Sequence, residues 1–324
     1  MSSALYPLVF QPRFKERIWG GRTLESLYGK HLPADVPIGE SWEISDRPDD
    51  ESVVANGPLG GRTLRWLMEA HAGKVLGDAA PAGDHRFPLL CKILDARDRL
   101  SLQVHPPPRA ARIGDPKTEM WYIAQADPGA ELHVGLKRGV TRGDFESKVR
   151  EGRVAECFHR IPVRAGDAMF LPSGRVHAIG AGLVIFEIQQ NSDTTFRVFD
   201  WNRVGLDGKP RALHVAESIE SIDFSDVEPS LAGGEITRSG PFTVRALVRH
   251  DLFDADLVRA ASRDLMTLPP RLRVLAVVDG RVVVSGGGVA QSLDAGEFCL
   301  LPASLTDATV AADARSAFLL AEPK

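Results

Sequence analysis

Short apolar runs, broken every few residues by glycine or proline, set the pattern of this chain. Val53–Ala55, Leu89–Leu94, Leu100–Val104, Met120–Ala124, Glu131–Val134, Ala168–Leu171, Val184–Gln189 and Thr195–Phe199 have the length and composition of strands. Such runs between frequent turns predict a β-sandwich or barrel. Helical periodicity is confined to Leu64–His71 and Arg142–Gly152, which follow Thr63 and Thr141. Each threonine stands where its hydroxyl can accept from the free amides of the first turn. Alanine and proline around Gly77–Gly83 mark a loop. Between Asp223 and Pro241 the chain turns acidic, then glycine-rich, and reads as a connection to a C-terminal β-unit. There Arg273–Val278 and Arg281–Ser285 flank the hairpin pair Asp279-Gly280, and Phe298–Pro302 is a further strand. Val274–Val278 is apolar on both faces, as a strand covered on both sides is. We expect one domain over residues 1–240 and a second over 241–324.

The two parts share an echo. Ala165-Gly166-Asp167, an apolar run and Leu171-Pro172-Ser173 are repeated as Ala295-Gly296-Glu297, an apolar run and Leu301-Pro302-Ala303. The first copy continues to His177. The second has no histidine in the equivalent place, and His250 is the only one after His214. This predicts two related β-units, of which the C-terminal one holds no metal.

Composition narrows the classes. With 324 residues, 44% apolar and 25% charged, the chain is an average globular protein. Its net charge of −4 argues against a nucleic-acid binder, which needs a basic face. No apolar run approaches the ~20 residues that span a bilayer, and the start, MSSALYPLVF, does not read as a signal peptide. Cys91, Cys157 and Cys299 are odd in number and far apart, which fits reduced core thiols in a cytoplasm. No glycine-rich nucleotide signature follows a predicted strand.

Gln103 and His105 stand two positions apart at the end of an apolar run, so a strand would point both to one face. Glu119 opens another strand, and His177 closes a Gly-x5-Pro-x-Gly-x2-His pattern that begins at Gly166. One amide, one carboxylate and two imidazoles make a mixed nitrogen and oxygen set. It suits Zn²⁺, with Fe²⁺, Mn²⁺ and Co²⁺ as alternatives.

The pattern from Gly166 to His177 coincides with the second cupin motif, a strand-turn-strand that aims its histidine inward. Four further stretches sharpen the resemblance: Gln-Val-His-Pro from Gln103, Lys-Thr-Glu-Met-Trp-Tyr from Lys117, Pro-Ser-Gly-Arg-Val-His-Ala-Ile from Pro172, and the run from Gln189 to Trp201. With Trp19-Gly20-Gly21 and the segment from Gly39 to Ser45, they closely resemble type I mannose-6-phosphate isomerase in its short bacterial form. The similarity runs from about Phe10 to His214.

The resemblance implies a mainly β cupin fold, a jelly-roll β-barrel with a few helices and a degenerate second unit. It implies interconversion of mannose 6-phosphate and fructose 6-phosphate through an enediol, with one Zn²⁺ per chain on Gln103, His105, Glu119 and His177. Arg197 matches the catalytic arginine and Lys117 the active-site lysine, while Asp193 stands where the family has an acid four residues before the arginine. Arg197 would stabilise developing negative charge. Lys117 would act as a base if its pKa were lowered, or hold phosphate. Asp193 would assist ring opening or orient Arg197, and Trp19 and Trp42 would wall the sugar. The expected partner is a small sugar phosphate, with no nucleic acid and no membrane, in a monomer or homodimer. A non-catalytic sugar-phosphate sensor on the same fold is the alternative.

Overall fold

Short runs rich in β-branched and other apolar residues build the strands, alternating in burial at the edges and buried throughout in central strands such as β3 (Leu89–Ala96) and β10 (Leu183–Gln190). The computed structural model describes residues 4–79 and 86–324. The strands are β1 (Arg13–Gly21), β2 (Ile38–Ile44), β3 (Leu89–Ala96), β4 (Leu102–Val104), β5 (Glu119–Ala126), β6 (Glu131–Leu136), β7 (Phe158–Pro162), β8 (Ala168–Leu171), β9 (His177–Ile179), β10 (Leu183–Gln190) and β11 (Phe196–Phe199). There follow β12 (Ile236–Ser239), β13 (Phe242–Arg249), β14 (Phe253–Ala260), β15 (Asp264–Thr267), β16 (Arg273–Asp279), β17 (Arg281–Gly286), β18 (Val289–Asp294), β19 (Phe298–Leu301), β20 (Thr309–Ala312) and β21 (Ala317–Pro323). The α-helices are α1 (Thr23–Tyr28), α2 (Leu64–Leu76), α3 (Arg142–Arg150) and α4 (Val215–Ser221).

Two compact units arise, one from Phe14–Ser41 and Ile93–Ala232, the other from Met1–Arg13, Trp42–Lys92 and Gly233–Lys324. The sequence reading places a single cut near residue 240. In the structure the segments interleave, and the boundaries fall inside β2 and β3 as well as at Gly233.

The first unit is built on one sheet in the order β1-β2-β3-β10-β5-β8 and another in the order β11-β4-β9-β6-β7. Its interior holds Trp121, Ile123, Met169 and Ile185 from one sheet against Leu132, Val134 and Ile179 from the other. The far face of the second sheet carries Leu102, Val104, Ala178, Phe196 and Val198, packed with Phe145 of α3 and Ile222. Thr141 and Asp144 form a reciprocal cap on α3, and the Thr63 side chain accepts from the Trp66 amide on α2, as the sequence predicts.

The second unit repeats this order as β14-β21-β16-β19 and β15-β20-β17-β18, the counterparts of β3-β10-β5-β8 and β4-β9-β6-β7. The echoed segments enclose β8 and β19, which occupy equivalent places. Register then matches residues individually. Glu119 pairs with Leu171 as Arg273 pairs with Leu301. His177 pairs with Val134 as Val310 pairs with Val284. Gln103 pairs with His177 as Met266 pairs with Val310, and two positions further on His105 corresponds to Leu268. Met266, Leu268 and Val310 belong to the apolar core of this unit.

Two local expectations change. Val53 and Val54 make only isolated bridges, to Thr63 and Phe10, because too few paired residues flank them for a ladder. Gly77–Ala79 is a single 3-10 turn, and residues 80–83 of the expected loop lie outside the described residues.

Candidate metal centre and active site

Strand register assembles the centre. Gln103 on β4 faces His177 on β9, and Arg197 on β11 faces Gln103. Residues directly opposite in antiparallel strands share a sheet face, so the three side chains form a row across three strands. Leu102, Val104 and Ala178 alternate with them and serve the opposite core. Glu119 comes from the other sheet, at the start of β5. Gly166 and Gly174, which turn the chain on either side of β8, have φ of 92° and 95°. Only glycine takes this conformation without strain, which is why both stand in the pattern that delivers His177. Trp121 lies below, its ring edge-on to His177 with centroids 5.3 Å apart.

His105, Glu119 and His177 are buried and converge, their candidate ligand atoms all within 4.8 Å of one another. Nε2 of His105 is 3.4 Å from Glu119 Oε2, and Nε2 of His177 is 3.5 Å from Oε1. Nδ1 of His105 meets the Thr194 carbonyl at 2.8 Å, and Nδ1 of His177 meets the Arg175 carbonyl at 2.9 Å. A carbonyl only accepts, so each Nδ1 carries the proton and each Nε2 presents a lone pair towards Glu119. The Gln103 amide reaches the same point, Nε2 standing 3.2 Å from His177 Nε2.

Lys117 Nζ lies 2.7 Å from Glu119 Oε2, 3.2 Å from His105 Nε2 and 4.0 Å from Glu187 Oε1. Burial pulls this ammonium down, but the carboxylates of Glu119 and Glu187 outweigh it and hold its pKa above the usual lysine value. The lowered pKa that a basic Lys117 would need is therefore not what these surroundings favour. Burial pushes the Glu119 carboxyl up, and Lys117 with the two histidines brings it well below its ordinary range. Burial, then the Lys117 charge, lowers His105; burial, then His105, lowers His177 to about 3.

The residues fit a divalent ion. Both Glu119 oxygens are fully buried without a hydrogen bond, and only Oε2 has the Lys117 ammonium beside it; a cation between Glu119 and two imidazole lone pairs would compensate Oε1 as well. Gln103, His105, Glu119 and His177 are the residues that would hold it.

The depressed histidines carry a consequence for pH. A histidine kept neutral by the fold contributes stability that is present above its ordinary pKa of 6.5 and is lost as pH falls towards the folded value, about 3 for His177. Glu119 shifts in the same direction but below the ordinary glutamate value of 4.5, so the loss nearer neutrality belongs to the imidazoles. Chelated protein should therefore unfold at lower urea concentration at about pH 5 than at about pH 7, and His177→Gln should flatten the difference. Equal midpoints in the unsubstituted protein would contradict this electrostatic account.

Arg197 is half-buried. Its Nη1 donates to the Ala212 carbonyl at 2.8 Å, and its buried Nε has no partner. Burial, then the Arg211 guanidinium, lowers its pKa from the usual arginine value. Asp193 is exposed, and no hydrogen bond or ion pair joins it to Arg197. The carboxylate among the neighbouring arginines is instead Asp200. The register slips between Arg197 and Phe199, so Phe199 pairs with Leu102 and packs against the far-face core, not beside Arg197 as simple alternation predicts. Trp19 lies in the apolar interior. Trp42 is buried with Lys92 Nζ 4.8 Å from its ring centroid. Sequence reading passes over Glu187, which accepts from Trp121 Nε1 at 2.8 Å; the signal was a lone carboxylate inside the apolar run of β10.

Known proteins can be set beside this geometry. The model of the phosphomannose isomerase type I catalytic domain matches residues 8–137. Bacillus subtilis mannose-6-phosphate isomerase ManA is 42% identical over 228 residues, 68% of this chain and 69% of that protein. "Probable mannose-6-phosphate isomerase GmuF" of the same organism is 33% identical over 322 residues, 98% of this chain and 99% of the relative. The chain belongs to the type I phosphomannose isomerases. A crystal structure of mannose 6-phosphate isomerase from Bacillus subtilis superposes with a TM-score of 0.89 at 30% identity, covering 98% of this chain and 100% of that one. The fold is thus the cupin fold of this family, present as facing sheets and not as a closed barrel.

Proposed function

We propose that this protein interconverts mannose 6-phosphate and fructose 6-phosphate at one divalent ion, Zn²⁺ in the first instance, held by Gln103, His105, Glu119 and His177. The observation that carries this reading is the convergence of His105, Glu119 and His177 on one buried point beside Lys117, in a chain of this isomerase family. The reaction opens the sugar ring, takes the proton from the carbon beside the carbonyl and returns it to the neighbouring carbon through an enediol. A bound divalent ion supplies polarisation of the substrate oxygens. Arg197 keeps its charge throughout and stabilises negative oxygen as it develops. Lys117 offers a fixed ammonium to a substrate oxygen, and Asp193, exposed near the site, assists ring opening. The second unit, with Met266, Leu268, Arg273 and Val310 at the ligand positions, contributes no metal chemistry. Among the described residues no helix is long and apolar enough to cross a membrane. Three buried cysteines, none in a disulfide, support a cytoplasmic location.

The enediol route is open to an isotope test. Purified protein incubated with mannose 6-phosphate in deuterated water should yield fructose 6-phosphate, with solvent deuterium entering the transferred position or the recovered substrate. No product at any metal loading would remove the proposal; solvent deuterium at the transferred position would establish proton transfer through the enediol.

A further inference from the structure

Three arginines share few carboxylates beside the centre. After β11 the chain returns along that strand's free edge: the His214 amide donates to the Arg197 carbonyl at 2.8 Å, and the Arg197 amide donates to His214 Nδ1 at 3.2 Å. This return brings Arg211 next to Arg197, whose Nη1 already meets the carbonyl of Ala212. Asp200 grips Arg211 through Nε at 2.7 Å and through Nη2, and also takes Nη2 of Arg203 at 2.8 Å.

A guanidinium has three nitrogens and five N–H donors, and counting them separates the three residues. Arg203 is engaged at every nitrogen, by Asp200, by Asp98 and by the Arg99 carbonyl. Arg211 makes no hydrogen bond through Nη1. Arg197 makes none through Nε or Nη2, although its Nε is buried. Unpaired donors, one of them buried, and excess positive charge at one place call for an anion. The position suits a distal one, because Arg197 lies two strands from His177, about 10 Å across the sheet.

We infer that Arg211 is a phosphate-binding residue that sets specificity, with the substrate's phosphomonoester on its Nη1, while the free donors of Arg197 are left for the oxygens of the reacting end. Asp200 fixes the Arg211 fork in place, and Arg203 is structural. The sugar then runs along the row from His177 past Gln103 and Arg197, its reacting carbons towards the centre and its phosphate at Arg211. This inference rests on the isomerase reading above.

The test compares Arg211→Gln, which keeps a donor for Asp200, with Arg203→Gln. Steady-state kinetics with mannose 6-phosphate and competition by inorganic phosphate are measured on each. Arg211→Gln should raise KM about 10- to 100-fold and weaken phosphate inhibition by a similar factor, as expected for loss of a charge-assisted contact, with kcat changed far less. Arg203→Gln should leave KM and phosphate inhibition close to those of the unsubstituted protein while lowering its melting temperature. A folded Arg211→Gln protein with unaltered KM and phosphate inhibition overturns the assignment, as does Arg203→Gln reproducing the effect. If the unsubstituted protein fails to isomerise mannose 6-phosphate, the isomerase reading falls by itself. Equilibrium binding of inorganic phosphate then still decides the residue: weaker binding by Arg211→Gln supports it, equal binding refutes it.

Discussion

Glu119→Gln should strip the protein of its metal and with it at least ~10²-fold of its activity. The substitution keeps the shape of the side chain and removes the only anionic member of the proposed ligand set, so two imidazoles and two amides would face a dication without charge compensation. A second effect is expected in stability. The Lys117 ammonium is buried against Glu119 at 2.7 Å, and deleting one member of a buried charge pair costs about 3–5 kcal/mol because the other is left uncompensated. Glu187, at 4.0 Å from the same nitrogen, would soften that loss. Elemental analysis and urea denaturation of the variant read the two effects separately. A full complement of about one ion per chain in Glu119→Gln would show that the carboxylate is not a ligand.

Arg197→Ala should behave differently. Metal content should stay as it was, since Arg197 lies one strand beyond Gln103 and makes no hydrogen bond to His105 or His177. Turnover should fall ~10²-fold or more, the usual consequence of losing a preorganised charge at a developing oxyanion, and KM should rise as well. Arg197→Lys should recover little. The planar fork holds the Ala212 carbonyl with one nitrogen at 2.8 Å while others stay free for substrate, and a point charge on a flexible stem cannot do both. Near-normal turnover in Arg197→Ala would make the residue a structural brace for the 211–214 segment.

Much of this centre was legible in the chain because strand alternation is a short-range rule. Gln103 and His105 needed only i, i+2 spacing, and His177 needed two glycines and a proline at turn positions, which the φ values of Gly166 and Gly174 explain. The Ala-Gly-acid echo likewise marks β8 and β19, which occupy equivalent places in the two units. What the sequence hid depends on tertiary context. All seven residues of β2 are buried, Glu40, Ser41 and Glu43 among them, so an apolar pattern never appears there. The interleaving of the two units could not be read either, since β2 and β3 carry residues of both and no linker composition marks such a boundary. Phe199 owes its place to a register slip that period-two counting cannot see. Arg211 sits in a segment that reads as an ordinary polar loop, and it acquires meaning only because the chain doubles back along β11 and Asp200 turns its fork.

One site unites metal on the proposed ligand set with the sugar-phosphate isomerisation. This is tested most directly by assaying conversion of mannose 6-phosphate to fructose 6-phosphate before chelation, after exhaustive chelation, and after returning one equivalent of zinc, manganese or cobalt. Activity is expected in the first sample, its loss in the second and its return in the third, with Glu119→Gln unable to recover under the same additions. Full activity in chelated protein whose metal content is shown to be negligible would contradict it.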